Sequence, residues 1–580
     1  MPNNVELVRS LDTMLPKGQE QADKFTKERL IMCMTPIISP LTKNTFLLPS
    51  NVLRASSPSF LQTISDKRDR RLALQVKSVI QYRRGECVVA LENEPGNVPP
   101  TFTHNNKLYQ APKSALLKRF KAPTSPFYWK APSTSTTGPT HAVTQLIVDL
   151  SMVTKVMASS VSVGGNTTVK DFCDKVWGYI NNKKYDRIDV VGDNYETPHL
   201  LKNSTRVDRG SGTTVAFDLD SRLPANFKSD FFFCSINKAR LYRIMTGYFN
   251  VLAQQTDTQI FITQGSSEVS NALPDSTHLE ADFRLIGHLI NAAQSGCTQT
   301  VVRGNDTDIL VILLAYLPEV LRYNESHTVL FDCGSKATRF MFNINYIGQL
   351  IGLERCRGLL FLFALSGSDF TPSFYGVGKL RFFDLYIDYK DADQVFRELS
   401  SGPEEMTEEQ FKAVETFVLA AYQTKGGTVC DLRTARIEGI VSPLVASFRQ
   451  LPPTESALYH ATLRAVYVSG HLWGRADEFA PELPPFEDWG WEPLSDAQLE
   501  DPNAVLRPIW TAHFDVDGTA YSKLSKVCNC GEKNSCLNKN CSCSHTVCLP
   551  TCKCRGGCKK DTTVIVDQAD ESDDPDTDSI

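Results

Sequence analysis

Residues 300–317 read TVVRGNDTDILVILLAYL, and they combine a short apolar run, an acidic turn and a long apolar segment. The run that ends near Arg303 has the length and β-branched content of a strand, whereas ILVILLAYL has the continuous apolar character of a buried helix. Asp306 and Asp308 stand between the two. The stretch therefore predicts a strand, a turn that carries two carboxylates, and a helix, in that order.

Similar runs recur on both sides of this stretch. Residues 145–149 (QLIVD), 187–193 (RIDVVGD) and 327–332 (HTVLFD) are apolar runs that each end in an acid, and residues 280–290 have apolar positions at helical spacing. This alternation of strands and helices, from about residue 142 to residue 386, favours an α/β domain with a mostly parallel sheet and helices on both faces. Such sheets bind ligands at the carboxyl ends of their strands.

The acids at the strand ends have two interpretations. A single acid after a strand is commonly a helix N-cap or a turn former. Several acids at one edge of a sheet repel one another and need a cation, and oxygen ligands select Mg²⁺ or Mn²⁺. Two such ions close together are the usual device for hydrolysing a phosphodiester.

The order of these acids resembles that of the PIN-like/flap-endonuclease superfamily, over residues 143–379. The matching segments are LIVDLSMV, VVGDNY, HLEADFRLIGHLI, GNDTDILV and LSGSDF. The resemblance implies a PIN-like sheet and a two-metal site that takes Mg²⁺ or Mn²⁺. The catalytic carboxylates that it assigns are Asp149, Asp193, Glu280, Asp282, Asp306, Asp308 and Asp369. It also implies that Lys202, Arg206 and Arg209 contact the scissile phosphate, with a solvated helix face as the alternative.

A second informative segment is rich in cysteine, since nine of the seventeen cysteines lie within residues 528–558. These nine are Cys528, Cys530, Cys536, Cys541, Cys543, Cys548, Cys552, Cys554 and Cys558. The other cysteines are scattered singly, the chain begins MPNNVELVRS without an apolar signal-peptide core, and it has no long uncharged apolar stretch. We therefore expect no membrane association and a reducing compartment, in which thiolates bind zinc and do not pair.

The number of cysteines favours a zinc cluster. About three zinc ions need about twelve tetrahedral ligand positions, which nine cysteines fill if three sulfurs bridge. Two separate four-cysteine sites would leave one cysteine over. Residues 523–560 carry eight Lys or Arg and one Glu, so the zinc-loaded segment has a net charge of about +4, which favours phosphate contacts.

The Cys-x-Cys repeats resemble a CXC module of the tesmin/TSO1 type, a small zinc-thiolate DNA binder that also occurs in chromatin proteins. The end of the segment, CKCRGGC at residues 552–558, is similar to modules that insert an arginine into the minor groove, which implies that Arg555 reads DNA. A metallothionein-like metal buffer and a purely structural knot are the alternatives. The combination of a PIN-like region and a CXC end resembles a group of animal CXC-domain proteins.

Composition and charge describe an ordinary globular chain of several domains. The chain has 580 residues, of which 42% are hydrophobic and 22% charged, and its net charge of −5 indicates that any nucleic-acid surface is local. The sequence predicts an N-terminal region of unknown role (1–120), a linker (121–140), a PIN-like nuclease domain (141–400), a helical extension with a Pro- and acid-rich linker (401–505), the CXC module (523–560) and an acidic disordered tail (561–580).

Together these features predict a nuclear, Mg²⁺- or Mn²⁺-dependent nuclease that a zinc module tethers to DNA. Nucleic acid is the expected partner, with DNA preferred to RNA, and the cytoplasm is a second location. One alternative is a catalytically inactive PIN-like scaffold in a zinc-dependent DNA-binding or chromatin protein. Another alternative is an RNA-cleaving PIN enzyme whose cysteine module touches RNA.

Overall fold

The computed structural model divides the chain into two compact units, Met1–Leu74 and Gln75–Ile580. Asp23 and Ala73 are the residues of the first unit that the structure describes. In the second unit the structure describes residues 91–130 and 143–511, with gaps at 96–97, 105–106, 111, 113, 163–164, 182–183, 196–200, 202, 204–211, 269–272, 335–337, 424–430, 443–444, 446, 496–497, 499–500 and 502–503.

A seven-stranded sheet is the centre of the described part of the second unit. Its strands, in chain order, are β3 (Thr144–Asp149), β4 (Arg187–Val191), β5 (Gln259–Gln264), β6 (Ser267–Glu268), β7 (Gln299–Arg303), β8 (Thr328–Cys333) and β9 (Phe340–Asn343). The spatial order is β6-β5-β4-β3-β7-β8-β9. The five strands from β5 to β8 in this order pair in parallel, and the two outer strands pair antiparallel. The predicted mostly parallel sheet is therefore confirmed.

The helices fall before, between and after the strands, and a small hairpin of β1 (Thr103–His104) and β2 (Lys107–Leu108) precedes them. Helices within the sheet region are α2 (Leu150–Ser160), α3 (Val169–Ile180), α4 (Ser235–Ala253), α5 (Ala281–Gln294), α6 (Thr307–Tyr323) and α7 (Ile344–Ile351), with α1 (Ala115–Lys121) before them. The later helices are α8 (Leu359–Leu365), α9 (Lys379–Asp388), α10 (Asp393–Leu399), α11 (Glu408–Tyr422), α12 (Leu432–Val441) and α13 (Glu455–Val466). Among the described helices, none is long and apolar enough to cross a membrane.

Strand β3 shows why the sheet is covered on both faces. Side chains alternate between the two faces of a strand, and the inner residues of β3 are buried on both sides. Leu146 and Val148 pack in a core with α2, α3 and α4, whereas Ile147 packs in a second core with α5, α6 and α8. Strands that are buried on both faces consist of continuous apolar runs, which is the pattern that the sequence displays. The predicted placement of helices on both faces is confirmed.

The segment after residue 400 belongs to the second of these cores. Leu458, Ala461 and Ala465 of α13 are buried in one cluster with the whole of α8, and α13 continues into a π-helical turn at Tyr467–Leu472. The domain boundaries inferred from the sequence stay predictions, but the region predicted as a helical extension contributes directly to the core of the sheet domain.

Residues 99–128 also pack against the sheet domain. The backbone N–H of Tyr375 donates to the carbonyl of Thr101 at 3.0 Å, and that of Ser373 donates to the carbonyl of Tyr109 at 2.8 Å. Phe127, which lies in the predicted linker, is buried with its ring centroid 5.8 Å from that of Phe383. This N-terminal segment therefore packs against the part of the domain that contains the turn with Asp369.

Candidate active site at the carboxyl edge of the sheet

Three of the predicted catalytic acids follow three adjacent strands. Asp149 is the last residue of β3, Asp193 follows the end of β4 by two residues, and Asp306 follows the end of β7 by three. Strand β3 pairs in parallel with β4 on one side and with β7 on the other. The three acids therefore lie at the same edge of the sheet, which is the edge where open α/β folds bind ligands.

Asp149 begins helix α2 and lies close to a second negative charge. Its Oδ1 accepts a hydrogen bond from the backbone N–H of Met152 at 3.2 Å, so the side chain is the N-cap of α2. Burial, and then the charge of Asp193, raise the pKa of Asp149 to about 7, and Lys155 opposes this shift. The carboxyl groups of adjacent strands are therefore close enough to interact electrostatically.

Asp193 connects the end of β4 to the start of α5. Its Oδ1 accepts from the backbone N–H of Ala281 at 2.9 Å, and its Oδ2 accepts from the hydroxyl of Tyr195 at 2.6 Å. The backbone N–H of Asn194 donates to the carbonyl of Leu279 at 2.9 Å. These bonds hold the first turn of α5, which carries Glu280 and Asp282, against the loop that carries Asp193.

Glu280 and Asp282 occupy the irregular first turn that their spacing of two requires. Glu280 is the N-cap of α5 and has an extended backbone (φ −113°, ψ 141°), and Asp282 lies in the first helical turn. A residue much later in the chain holds the preceding loop in place, since the backbone N–H of Thr277 donates to the carbonyl of Phe479 at 2.8 Å. The region after residue 400 thus helps to position this acidic pair.

Asp306 and Asp308 open helix α6. Asp306 is its N-cap, and its Oδ1 accepts from the backbone N–H of Asp308 at 3.2 Å. Asn305 fixes the preceding loop, because its Oδ1 accepts from the N–H of Gly334 at 2.7 Å. A Cβ on Gly304 at this bend would lie 2.6 Å from Cδ1 of Ile309, so a larger residue there would force the Ile309 side chain to shift.

Asp369 lies in a tight turn after α8. Gly367 has φ +113°, and the N–H of Ser368 donates to the side-chain oxygen of Thr371 at 2.9 Å. The side-chain amide of Gln110 donates to the carbonyl of Ser368 at 3.2 Å. The N-terminal segment therefore contacts the turn that holds the last of the seven predicted acids.

A cleft of about 560 Å³ contains part of this set. It is lined by Ser114, Asp149, Met152, Lys155, Val156, Ser159, Asn305, Asp306 and Thr307. Within the residues that the structure describes, no group of three or more His, Cys, Asp or Glu side chains is arranged to hold a metal ion. A larger cleft of about 880 Å³, between residues 91–93 and α11 to α13, is lined by none of the seven acids.

Other acids of the sheet are engaged in ion pairs. Asp332, near the carboxyl end of β8, is buried and accepts from Arg303 at 3.1 Å and also from Arg339. Asp189, inside β4, is fully buried and accepts from Arg187 at 2.7 Å and 2.8 Å. Burial alone would raise the pKa of Asp189, but hydrogen bonds from His288 and Arg187 hold it below its usual range. These two acids are therefore structural.

Sequence reasoning missed several residues around the edge. Tyr195 and Tyr242 lie beside Asp193 with their ring centroids 5.5 Å apart and their planes tilted by 40°. Burial, and then the charge of Asp193, raise the pKa of both tyrosines. Lys155 and Ser114 line the cleft from α2 and from the start of α1. The sequence offers one signal for each of two of these residues: Tyr195 comes two residues after the strand-end acid Asp193, and Lys155 comes six residues after Asp149.

No family model matches the chain, and no curated protein is similar to it. Two solved structures of the bacteriophage T5 D15 protein are similar to it, one co-crystallised with metal ions and one a flap endonuclease complex with DNA and metal ions. The identities are 13% and 11%, the matches cover 47% and 51% of this chain and 83% and 99% of the phage chains, and both TM-scores are 0.27. At this identity and TM-score the likeness does not establish a shared activity.

Two predicted sites lie outside the described residues. The first is the zinc site of nine cysteines between Cys528 and Cys558, together with Arg555. The second is the basic group Lys202, Arg206 and Arg209 after β4. The roles assigned to these residues stay predictions.

Proposed function

We propose that this chain is a divalent-metal-dependent nuclease of the PIN-like type, which a C-terminal zinc-binding CXC module directs to DNA. The placement of Asp149, Asp193 and Asp306 after three adjacent parallel strands carries the proposal. The seven acids also follow the order of the PIN-like superfamily along the chain.

The donor set fits Mg²⁺ or Mn²⁺. Asp149, Asp193 and Asp306 present carboxylate oxygens, which are the ligands that these hard cations prefer. Burial, and then the charge of Asp193, raise the pKa of Asp149, and a bound cation would oppose this rise. The residues that would hold the ions are the seven acids named by the resemblance, with Asp149 and Asp193 as the best-supported pair. A bound divalent ion would supply a Lewis acid that activates water and offsets charge at the phosphate.

Hydrogen bonds within the protein fix the orientation of the carboxylates at this edge, where a phosphodiester would bind. The Tyr195 hydroxyl holds Oδ2 of Asp193, and the Ala281 N–H holds Oδ1, so the carboxylate is fixed in orientation. Helix-capping bonds fix Asp149 and Asp306 in the same way. Carboxylates that are already ordered lose little conformational freedom when a cation binds.

The remaining parts of the proposal concern the C-terminal segment and the setting. Nine thiolates between Cys528 and Cys558 suit about three tetrahedral zinc ions with bridging sulfurs. The basic charge around them, and Arg555 in particular, suit DNA in preference to RNA. A zinc-thiolate DNA-binding module in a chain with scattered single cysteines suits a nuclear protein, with the cytoplasm as a second location.

A second candidate is a PIN-like scaffold without catalysis, in a zinc-dependent DNA-binding protein. One observation favours it: Asp149, Asp193 and Asp306 each accept a backbone N–H from the first turn of a helix. Such acids stabilise the fold even where no metal binds, because helix N-termini need acceptors.

A cleavage assay with the full chain separates the two candidates. Labelled single-stranded DNA, duplex DNA, flap DNA and RNA would be incubated with the protein in Mg²⁺ or Mn²⁺. The proposed nuclease cleaves at least one substrate in a metal-dependent manner, and the substrate ranking distinguishes DNA from RNA.

The matched control is the double variant Asp306→Asn/Asp308→Asn, since Asn at the first position still caps α6. Cleavage should fall by about 10³-fold or more, since the metal provides most of the charge stabilisation, with the melting temperature maintained. Binding of nucleic acid without cleavage by the folded wild-type protein would favour the scaffold. Equal cleavage by the double variant would place catalysis elsewhere.

A further inference from the structure

Helix α1 brings the N-terminal segment to the rim of the cleft. Its N-cap residue, Ser114, lines the cleft together with Asp149 and Asp306. Phe120 on the opposite side of the helix is buried, with its ring centroid 4.7 Å from that of Phe127. The apolar side of α1 therefore fixes which side faces the cleft.

Lys118 lies on the same side of α1 as Ser114, one helical turn later. Its backbone N–H donates to the carbonyl of Ser114 at 3.1 Å, which is an i to i+4 relation within one helical turn. Side chains four residues apart on a helix share a face, so the exposed Lys118 stands one turn beyond Ser114 along the rim. The end of the helix is also fastened, because Nζ of Lys121 donates to the carbonyl of Thr338 at 2.7 Å.

A second lysine, on helix α2, lines the cleft itself. Met152, Lys155, Val156 and Ser159 have helical spacing and all line the cleft, so they form one face of α2. Lys155 is exposed on that face, and its positive charge acts on the Asp149 carboxylate. The cleft therefore has acids at the strand ends and one lysine on each of two helices beside them.

Positive charge at the rim of the cleft attracts a polyanion that approaches the strand-end acids. We infer that Lys118 and Lys155 form a phosphate-binding rim that holds a nucleic-acid backbone beside the carboxylates. A lysine ammonium suits this task, because it is a compact point charge with three donors on a flexible stem. The inference rests on the proposed function, and it adds substrate contacts from α1, which precedes the PIN-like region, and from α2.

Lysine footprinting of the full chain tests this inference. The protein would be acetylated with a lysine-reactive ester in a buffer that contains Ca²⁺, once alone and once with a labelled single-stranded oligonucleotide. The fluorescence anisotropy of the label would show that the protein is saturated with the oligonucleotide. The experiment would be done with a DNA and with an RNA oligonucleotide, to show which of the two nucleic acids the lysines contact. Mass spectrometry should show at least about threefold slower modification of Lys118 and Lys155 in the complex, because a phosphate contact shields the amine. Lys390, an exposed lysine beyond the far end of α9, should react equally in both states.

The double variant Lys118→Ala/Lys155→Ala gives a second readout, with Lys390→Ala as the matched control. Loss of two phosphate contacts should make the plot of log affinity against log salt concentration less steep, with the magnitude of its slope reduced by about 1.4 for a single strand. Unchanged reactivity of both lysines in a saturated complex would overturn the inference and leave the proposed nuclease intact. A protein that binds no oligonucleotide would overturn both. Protection of the two lysines in a protein that does not cleave would support the rim and contradict the nuclease.

Discussion

At the residue scale, Asp149 has two roles that conflict when no cation is present. Its carboxylate caps helix α2, which favours the charged form, but burial and Asp193 oppose that charge. The net effect is a pKa of about 7, against 3.8 for an isolated side chain. A folded-state pKa above the unfolded value means that stability is lost as pH rises from about 4 through about 7. The metal-free protein is therefore destabilised at neutral and higher pH by this one group.

The substitution Asp149→Asn should stabilise the metal-free protein at pH 8. The amide is neutral and still accepts the capping hydrogen bond, so the variant should gain about 3 kcal/mol in unfolding free energy at pH 8. At pH 5 most of this gain should disappear, because the wild-type carboxyl is then protonated. Urea unfolding with no Mg²⁺ or Mn²⁺ added measures both values. Asp488→Asn at an exposed site is the control, and an equal gain at both pH values would refute the explanation.

Tyr195 should affect metal binding through Asp193. Its hydroxyl donates to Oδ2 of Asp193 at 2.6 Å, and Tyr195→Phe removes that donor but keeps the ring contact with Tyr242. Residues that orient a ligand typically change metal affinity about tenfold or more. Calorimetric titration with Mn²⁺ should therefore show about tenfold weaker binding by the variant. An unchanged affinity would mean that Asp193 is oriented without Tyr195 or does not hold the ion.

At the element scale, the π-helical turn at Tyr467–Leu472 joins the C-terminal region to the sheet domain. Gly470 in this turn lies against the backbone of Gly402, which has φ +71°. A Cβ on Gly470 would stand 2.6 Å from Cα and N of Gly402, and these atoms cannot move aside as a side chain can. The close approach of two backbones explains the glycine at both positions.

The pair Gly470→Ala and Gly247→Ala should have opposite effects on stability. The first should cost about 1–3 kcal/mol, because the added methyl group overpacks a backbone contact. The second lies in α4, where a Cβ would meet nothing within 4 Å, and it should add about 0.5–1 kcal/mol, because alanine favours a helix. Chemical denaturation of the two variants measures both. If Gly470→Ala were neutral, the π turn would not pack against Gly402 as described.

The central elements could be predicted from sequence because their signal is local. Strands β3, β4, β7 and β8 are short, mostly apolar runs, and this local pattern predicts each of them. Strands β5, β6 and β9 have no comparable pattern, since β6 and β9 are short and the ends of β5 are polar and partly exposed. Short outer strands depend on pairing with a neighbour, which single-sequence patterns do not contain.

The acids at the edge could be located from sequence, but most of their partners could not. The strand-end positions of Asp149, Asp193 and Asp306 follow from their place after apolar runs. The bond from Ala281 to Asp193 joins residues 88 positions apart, and contacts of that kind arise only when the chain folds. The placement of Ser114 in the cleft depends in the same way on how α1 packs.

At the scale of the whole molecule, one hydrophobic core contains residues from regions that the sequence predicts to be separate. Val414 of α11, Leu458 of α13 and Tyr467 of the π turn are fully buried in the cluster that contains α8 and α6. Each fully buried side chain of this size contributes about 2–4 kcal/mol. Loss of these three contributions together would cost about 6–12 kcal/mol, which is comparable with the total stability of an ordinary domain, about 5–15 kcal/mol.

A fragment of residues 143–400 should therefore fail to fold, whereas residues 91–511 should fold. The longer fragment retains α11, α13, the π turn and the N-terminal segment, and the shorter one exposes the apolar surface of α8. Circular dichroism with thermal melting would compare the two fragments, and only the longer should show a cooperative transition. A cooperative transition in the shorter fragment would show that the sheet domain is complete by residue 400.

Binding of a divalent cation at the carboxyl edge underlies the whole proposal. Mn²⁺ would be titrated calorimetrically into the full-length protein, for the wild type, for Asp149→Asn/Asp193→Asn and for the surface control Asp488→Asn. We expect the wild type and the control to bind Mn²⁺ alike, and the double variant to bind at least about 100-fold more weakly, because two carboxylate ligands are lost. Identical isotherms for all three proteins would contradict a metal site formed by Asp149 and Asp193.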